Sequence, residues 1–130
     1  ISLYVLAGSN FKNIFSNEAS FKYFLMGSFA TGFLLFGIAL IYGATASFDL
    51  QVIASEIAKG TPGRTAWLYA GILMLIIGLG FKISAVPFHF WAPDVYEGSP
   101  TVVTAFMSTI VKIAAFAAFY RLFSVSFSTA

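Results

Sequence analysis

Of 130 residues, 59% are hydrophobic, 18% aromatic and only 9% charged, and the mean hydropathy is +0.90. Seven basic and five acidic side chains cannot cover a domain with solvated groups when soluble domains carry about a quarter charged residues, so the bilayer must be the solvent. The absence of Cys removes disulfides, thiolate metal sites and iron–sulfur clusters, and a single His89 cannot assemble a metal centre, so no metal or cofactor is expected on this chain. The basic residues form no block of the kind that tracks a phosphate backbone, which excludes nucleic acid as a partner.

The chain opens with Ile1 inside an apolar run, ISLYVLAG, and reads as an internal fragment whose residues 1–8 are the end of a membrane helix. The polar stretch Ser9 to Ser20 leaves the membrane. Residues 19–43 are apolar except for Lys22 and a few hydroxyls, long enough at 1.5 Å per residue to span a core of about 30 Å. Within 49–59, Leu50, Ile53, Ala54 and Ile57 repeat at helical spacing among Asp49, Glu56 and Lys59, which predicts a short amphipathic helix at the interface.

A second span is expected over 64–91, with Trp67 and Tyr69 near one end and Trp91 near the other, where amphipathic rings favour the headgroup level. Pro87 interrupts it, because proline lacks the N–H and deprives the Ile83 carbonyl of its helical partner. APDVYEGSP, with two prolines, Gly98, Asp94 and Glu97, reads as the next exit, its acids as solvated loop residues or caps. A third span follows over 100–123. None of these runs alternates polar and apolar residues as a membrane barrel would, so the predicted fold is all-α and integral to the membrane: a helix end and three spans, the middle one broken near Pro87, with a short interfacial helix.

Lys112 is the sharpest functional signal. It lies eleven residues beyond Thr101 and nine before Arg121, roughly 15 Å from either end of its helix, too deep to snorkel easily. Placing a lysine there costs about 2.5 to 3.5 kcal/mol on insertion scales, so its helix face, shared with Thr101, Thr104 and Ser108 at spacings of 3, 4 and 4, should meet a bundle or water. A structural lysine bonded to a neighbouring carbonyl is the plainer alternative. Lys82 lies before the break, with Gly78 and Gly71 leaving room on its face for a side chain or a close neighbouring helix. A lysine, Pro87 and His89 within eight positions suit an interrupted helix that lines an ion path, although a simple kink and an interfacial ring would place the same residues there. Lys22 is shallower, near enough to its helix end to snorkel. Burial disfavours a charged lysine and a nearby carboxylate favours it, so such groups become switchable proton carriers. No acid lies within the three predicted spans, so the counter-charge must come from the loops or from elsewhere.

At these residues, GLGFKISAVPFHFWAPDVYEGSPTVVTAFMSTIVKIAAFAAFYRLF from Gly78 to Phe123 closely resembles the subunit N family of proton-pumping NADH:quinone oxidoreductase, respiratory complex I; Glu18 to Ser47 and ISLYVLAG fit the same family in the same order. The resemblance implies an antiporter-like, non-redox membrane subunit of a translocase, with a proton relay through Lys82 at the broken helix, Lys112 on the next, Lys22 on the polar axis and His89 after the break. Pro87, Ser108 and Thr104 would support it. The glutamate that controls the first of these lysines lies, in the family, before the stretch matching Ile1, so the fragment alone is not expected to be active. The resemblance further implies other membrane subunits of complex I and the lipid bilayer as partners, with NADH, flavin, iron–sulfur clusters and quinone held by partner subunits. It places the protein in a bacterial inner membrane or an organellar one. A sodium/proton antiporter or membrane-bound hydrogenase subunit shares the lysine and Pro-His pattern, but FHFWAPDVYEGSP favours the subunit N branch. A purely structural scaffold would bear roughly 5 to 7 kcal/mol for two idle mid-membrane lysines and ranks last.

Overall fold

A computed structural model describes residues 1–60 and 62–128 and is helical, with no strand among them. The helices are α1 (Ser2–Ala7), α2 (Ile14–Thr45), α3 (Leu50–Ala58), α4 (Thr65–Lys82), α5 (Ala92–Gly98) and α6 (Thr101–Arg121), the last continued by a π-helical turn over Leu122–Ser126. Three are long and apolar enough to cross a membrane: α2, α4, and α6 with its continuation.

The first span starts earlier than residue 19. Asn13 caps it by accepting a hydrogen bond from the Phe15 N–H at 3.0 Å, and the polar residues read as a loop form the first turns of α2. Two of their hydroxyls face α1 rather than water. Ser16 donates to the Ala7 carbonyl at 2.7 Å and Ser20 to the Tyr4 carbonyl at 2.6 Å, which satisfies carbonyls that the short α1 leaves unpaired. At 32 residues, α2 is about 48 Å long and overruns a core of about 30 Å at its ends.

Close backbone approach holds α2 to α4. A Cβ at Gly71 would come within 3.0 Å of the Gly37 carbonyl oxygen, and one at Gly78 within 3.2 Å of the Ala30 carbonyl oxygen. Without a hydrophobic drive between helices in lipid, such small-residue contact is how packing forces gain purchase. Ile41, Leu68, Ile72 and Leu75 pack at one end of this pair with Ile53 of α3 and Phe127. The Ser126 hydroxyl ties that end together by donating to the Leu50 carbonyl at 3.2 Å.

Asp49 caps α3 by accepting from the N–H groups of Gln51 at 2.8 Å and Val52 at 3.4 Å. Asp49→Ala is expected to destabilise α3 by about 1 kcal/mol while Asp49→Asn stays near parent, read from the thermal unfolding of the purified membrane protein. Within α3, the hydrogen bond from the Lys59 ammonium holds the Glu56 carboxyl below its ordinary range. The contribution of this pair is therefore present at neutral pH and lost as the pH falls through the lowered value.

The middle span is broken near Pro87, as expected, with the helix ending five residues before it. Helix α4 ends at Lys82, before Pro87 acts, in a left-handed cap: Ser84 has φ 57°, its N–H donates to Phe81 O at 3.1 Å, and the Ala85 N–H donates to Gly80 O at 2.9 Å. These bonds satisfy two terminal carbonyls, and Pro87 keeps Val86 out of the helical region so that the helix does not resume at once. The Val86–Pro87 peptide is cis. APDVYEGSP, expected as an exit loop, is instead mostly α5, since Pro93 in the first turn needs no N–H. Trp91 is not an exposed interfacial ring. It is buried, stacked between Tyr23 and Phe81 at centroid distances of 5.1 Å each, and its indole N–H donates to the Phe81 carbonyl at 3.2 Å.

Candidate functional site

Each lysine singled out from the sequence occupies a different setting. Lys22 is eight residues into α2, about 12 Å from its start, so it sits near the edge of the hydrocarbon. It is paired rather than free. Its Nζ is 2.7 Å from Glu18 Oε1, one turn earlier, and 2.7 Å from Asp94 Oδ2 of α5. All three side chains are partly exposed and line a cleft of about 350 Å³ together with Asn13 and Glu97. Glu18 and Asp94 therefore supply counter-charges for Lys22, whereas Lys82 and Lys112 have none among the described residues.

Lys82 is the last residue of α4 and is half-buried. A helix C-terminus carries partial negative charge, which suits a cation. Among the described residues the Lys82 ammonium makes no ion pair or hydrogen bond. His89 lies in the connection between α4 and α5 with its ring exposed, and Pro87 is exposed in the same connection.

Lys112 lies at the middle of α6 on a half-buried stripe with Val103, Thr104, Met107 and Ser108, so it faces the other helices. Its partner is an aromatic face: Nζ is 5.5 Å from the centroid of the Tyr96 ring. The hydroxyls on this stripe do not meet the amine as donors. Thr104 donates to the Tyr96 carbonyl at 3.0 Å and Ser108 to the Ala105 carbonyl at 3.1 Å, while Thr101 at the helix start is exposed.

Among the described residues no hydrogen bond joins Lys22, Lys82, Lys112 and His89 to one another. What gathers around them is the cluster of Tyr23, Phe81, Trp91, Ala92, Val95 and Met107, built from α2, α4, α5 and α6. An aromatic series runs through it, from Phe81 beside Lys82, over Trp91, to Tyr96 beneath Lys112, with centroid distances of 5.1 and 5.9 Å. No group of three or more metal-ligating side chains occurs among the described residues.

The family described as NADH:quinone oxidoreductase/Mrp antiporter, TM, matches residues 1–130. The chain belongs to this membrane antiporter-like family. It is 62% identical over 125 residues to NADH-quinone oxidoreductase subunit N of Flavobacterium psychrophilum, a match that covers 96% of this chain and 27% of the relative. Subunit N of Cytophaga hutchinsonii is 55% identical over 129 residues, covering 99% of this chain and 27% of the relative. Among solved structures, a chain of respiratory complex I from Thermus thermophilus with bound aureothin shares 47% identity at a TM-score of 0.77, covering 93% of this chain and 26% of that one. The chain thus spans about a quarter of the length of the relatives it matches.

Sequence reasoning missed Tyr96, Asp94 and Glu18 as partners of the lysines. Glu18 stands four residues before Lys22, a spacing legible on any helix, and was overlooked because the helix was begun at residue 19. Asp94 lies 72 residues from Lys22, and only the folded chain joins them.

Proposed function

We propose that this chain is part of a subunit N that carries protons across a bacterial inner membrane, in a complex that transfers electrons from NADH to quinone, with the lysines of α4 and α6 as proton carriers. The observation that supports it most is the placement of Lys112, a lysine at mid-membrane depth on the protein-facing stripe of its helix, in a chain whose family joins oxidoreductase and antiporter subunits. An amine there can hold a proton without contacting lipid, and it can release the proton when its surroundings cease to favour charge. Lys82, at the end of the broken helix, is the neighbouring carrier, and Lys22 with its two carboxylates stands at the edge of the membrane. The chain itself supplies no redox group. Other membrane subunits of the complex and the lipid bilayer cover its exposed apolar faces, and NADH, flavin, iron–sulfur clusters and quinone belong to partner subunits. The names of the relatives favour the oxidoreductase branch over the sodium/proton antiporter branch.

In inverted membrane vesicles carrying the full-length subunit, Lys112→Ala is expected to lower proton uptake per NADH oxidised severalfold. Lys12→Ala, in the exposed loop before α2, is expected to leave it unchanged. Normal uptake by the Lys112→Ala vesicles would remove the carrier role from α6.

A further inference from the structure

We infer that Asp94 and Tyr96 of α5 are positioning residues that hold two lysine ammonium groups at once, Lys22 on α2 and Lys112 on α6, so that α5 couples the two amines. The inference rests on the proton-carrying reading above and deepens it.

The two residues are two positions apart, so at about 100° per residue they project from opposite sides of the helix. Asp94 Oδ2 meets Lys22 Nζ at 2.7 Å on one side, and the Tyr96 ring lies under Lys112 Nζ at 5.5 Å on the other. Val95, between them in sequence, is fully buried against the bundle. Helix α5 is wedged between its neighbours: a Cβ at Gly98 would overlap the Phe15 carbonyl of α2, and Thr104 of α6 donates to the Tyr96 carbonyl at 3.0 Å.

Both contacts stabilise an ammonium and not a neutral amine, the first by Coulomb attraction and the second through the negative face of the ring. No carboxylate pairs with Lys112 among the described residues, so the ring is the group seen to favour its charge. Asp94 is already in contact with Lys22 and Gly98 already abuts Phe15, so the shift open to α5 is towards α6, which lengthens the Asp94–Lys22 contact while it presses Tyr96 towards Lys112. Helix α5 follows the connection 83–91, whose first residue adjoins Lys82, so Lys82 and both contacts lie along one continuous stretch of chain.

The test uses the assembled complex in inverted vesicles and reads proton uptake per NADH oxidised, because a packing defect lowers the amount of complex rather than this ratio. Tyr96→Phe keeps the ring, and the hydroxyl it removes is buried without a partner among the described residues, so it is expected to hold the parent ratio. Tyr96→Leu and Tyr96→Met keep apolar bulk without the ring and are expected to lower the ratio by about threefold or more. Asp94→Asn is expected to lower it similarly, Asp94→Glu to restore most of it, and Asp94→Asn in a Lys22→Gln background to change nothing further. A parent ratio in either Tyr96→Leu or Tyr96→Met, with collapse in Lys112→Ala, would overturn the inference and leave the carrier reading standing; so would a Tyr96→Phe as defective as Tyr96→Leu. A parent ratio in both Lys112→Ala and Lys82→Ala would overturn the carrier reading, and the inference with it.

Discussion

Proton uptake driven by NADH is expected to fall to background when Lys82 is replaced by alanine in the full-length subunit, and to stay there when it is replaced by arginine. The alanine variant removes the amine at the end of α4, where the helix terminates in a left-handed cap and its last carbonyls concentrate negative potential. The arginine variant separates two explanations. If Lys82 only neutralised the helix end, a guanidinium would serve as well, since it keeps the charge. If Lys82 carries a proton, a guanidinium must fail, because it does not give its proton up at any pH the membrane experiences. Fluorescence quenching of a pH-sensitive dye in inverted vesicles, normalised to the amount of assembled complex, reads both variants. Full uptake by Lys82→Arg would reduce the residue to an electrostatic role, and full uptake by Lys82→Ala would remove it from the path.

The second large effect is structural. Gly71→Leu is expected to abolish assembly of the subunit, because α2 and α4 touch through their backbones at this point. Even the methyl of Gly71→Ala would lie 3.0 Å from the Gly37 carbonyl oxygen and 3.2 Å from the Ile41 N–H nitrogen, neither of which can move without its helix. Overpacking of this kind costs about 1 to 3 kcal/mol for a methyl group and more for a branched side chain. Gly32→Ala and Gly43→Ala provide the controls, since nothing lies within 4 Å of a Cβ at either of these positions of the partner helix α2. Abundance of the subunit in membranes and its unfolding temperature in detergent should fall for both Gly71 variants and stay at parent level for the other two. Equal behaviour of all four would show that the glycine contact does not hold the pair together.

The spans were legible because hydropathy and length decide what crosses a bilayer, and α2, α4 and α6 follow the three apolar runs. Their ends were less so. Ser16 and Ser20 look like loop residues until α1 offers them carbonyls, and Trp91 looks like an interfacial anchor until Tyr23 and Phe81 close on its faces. Pro87 marks the break in the sequence, whereas the left-handed cap at Ser84 that ends α4 is visible only in the fold. Of the candidate site, Lys112 could be found from its depth alone, since mid-membrane charge is costly on any helix. Its aromatic partner could not, because Tyr96 belongs to a segment whose prolines suggest a loop and which reaches Lys112 only after folding as α5. The same holds for the pairing of Asp94 with Lys22 across the bundle.

The most direct measurement is a high-resolution density map of the intact complex in a lipid nanodisc, at a resolution that shows ordered water. The account predicts that the Lys82 and Lys112 amines both lie on the protein side of their helices, each bonded to ordered water or to a polar group of the same assembly. Either amine extended among lipid headgroups or acyl chains would contradict it.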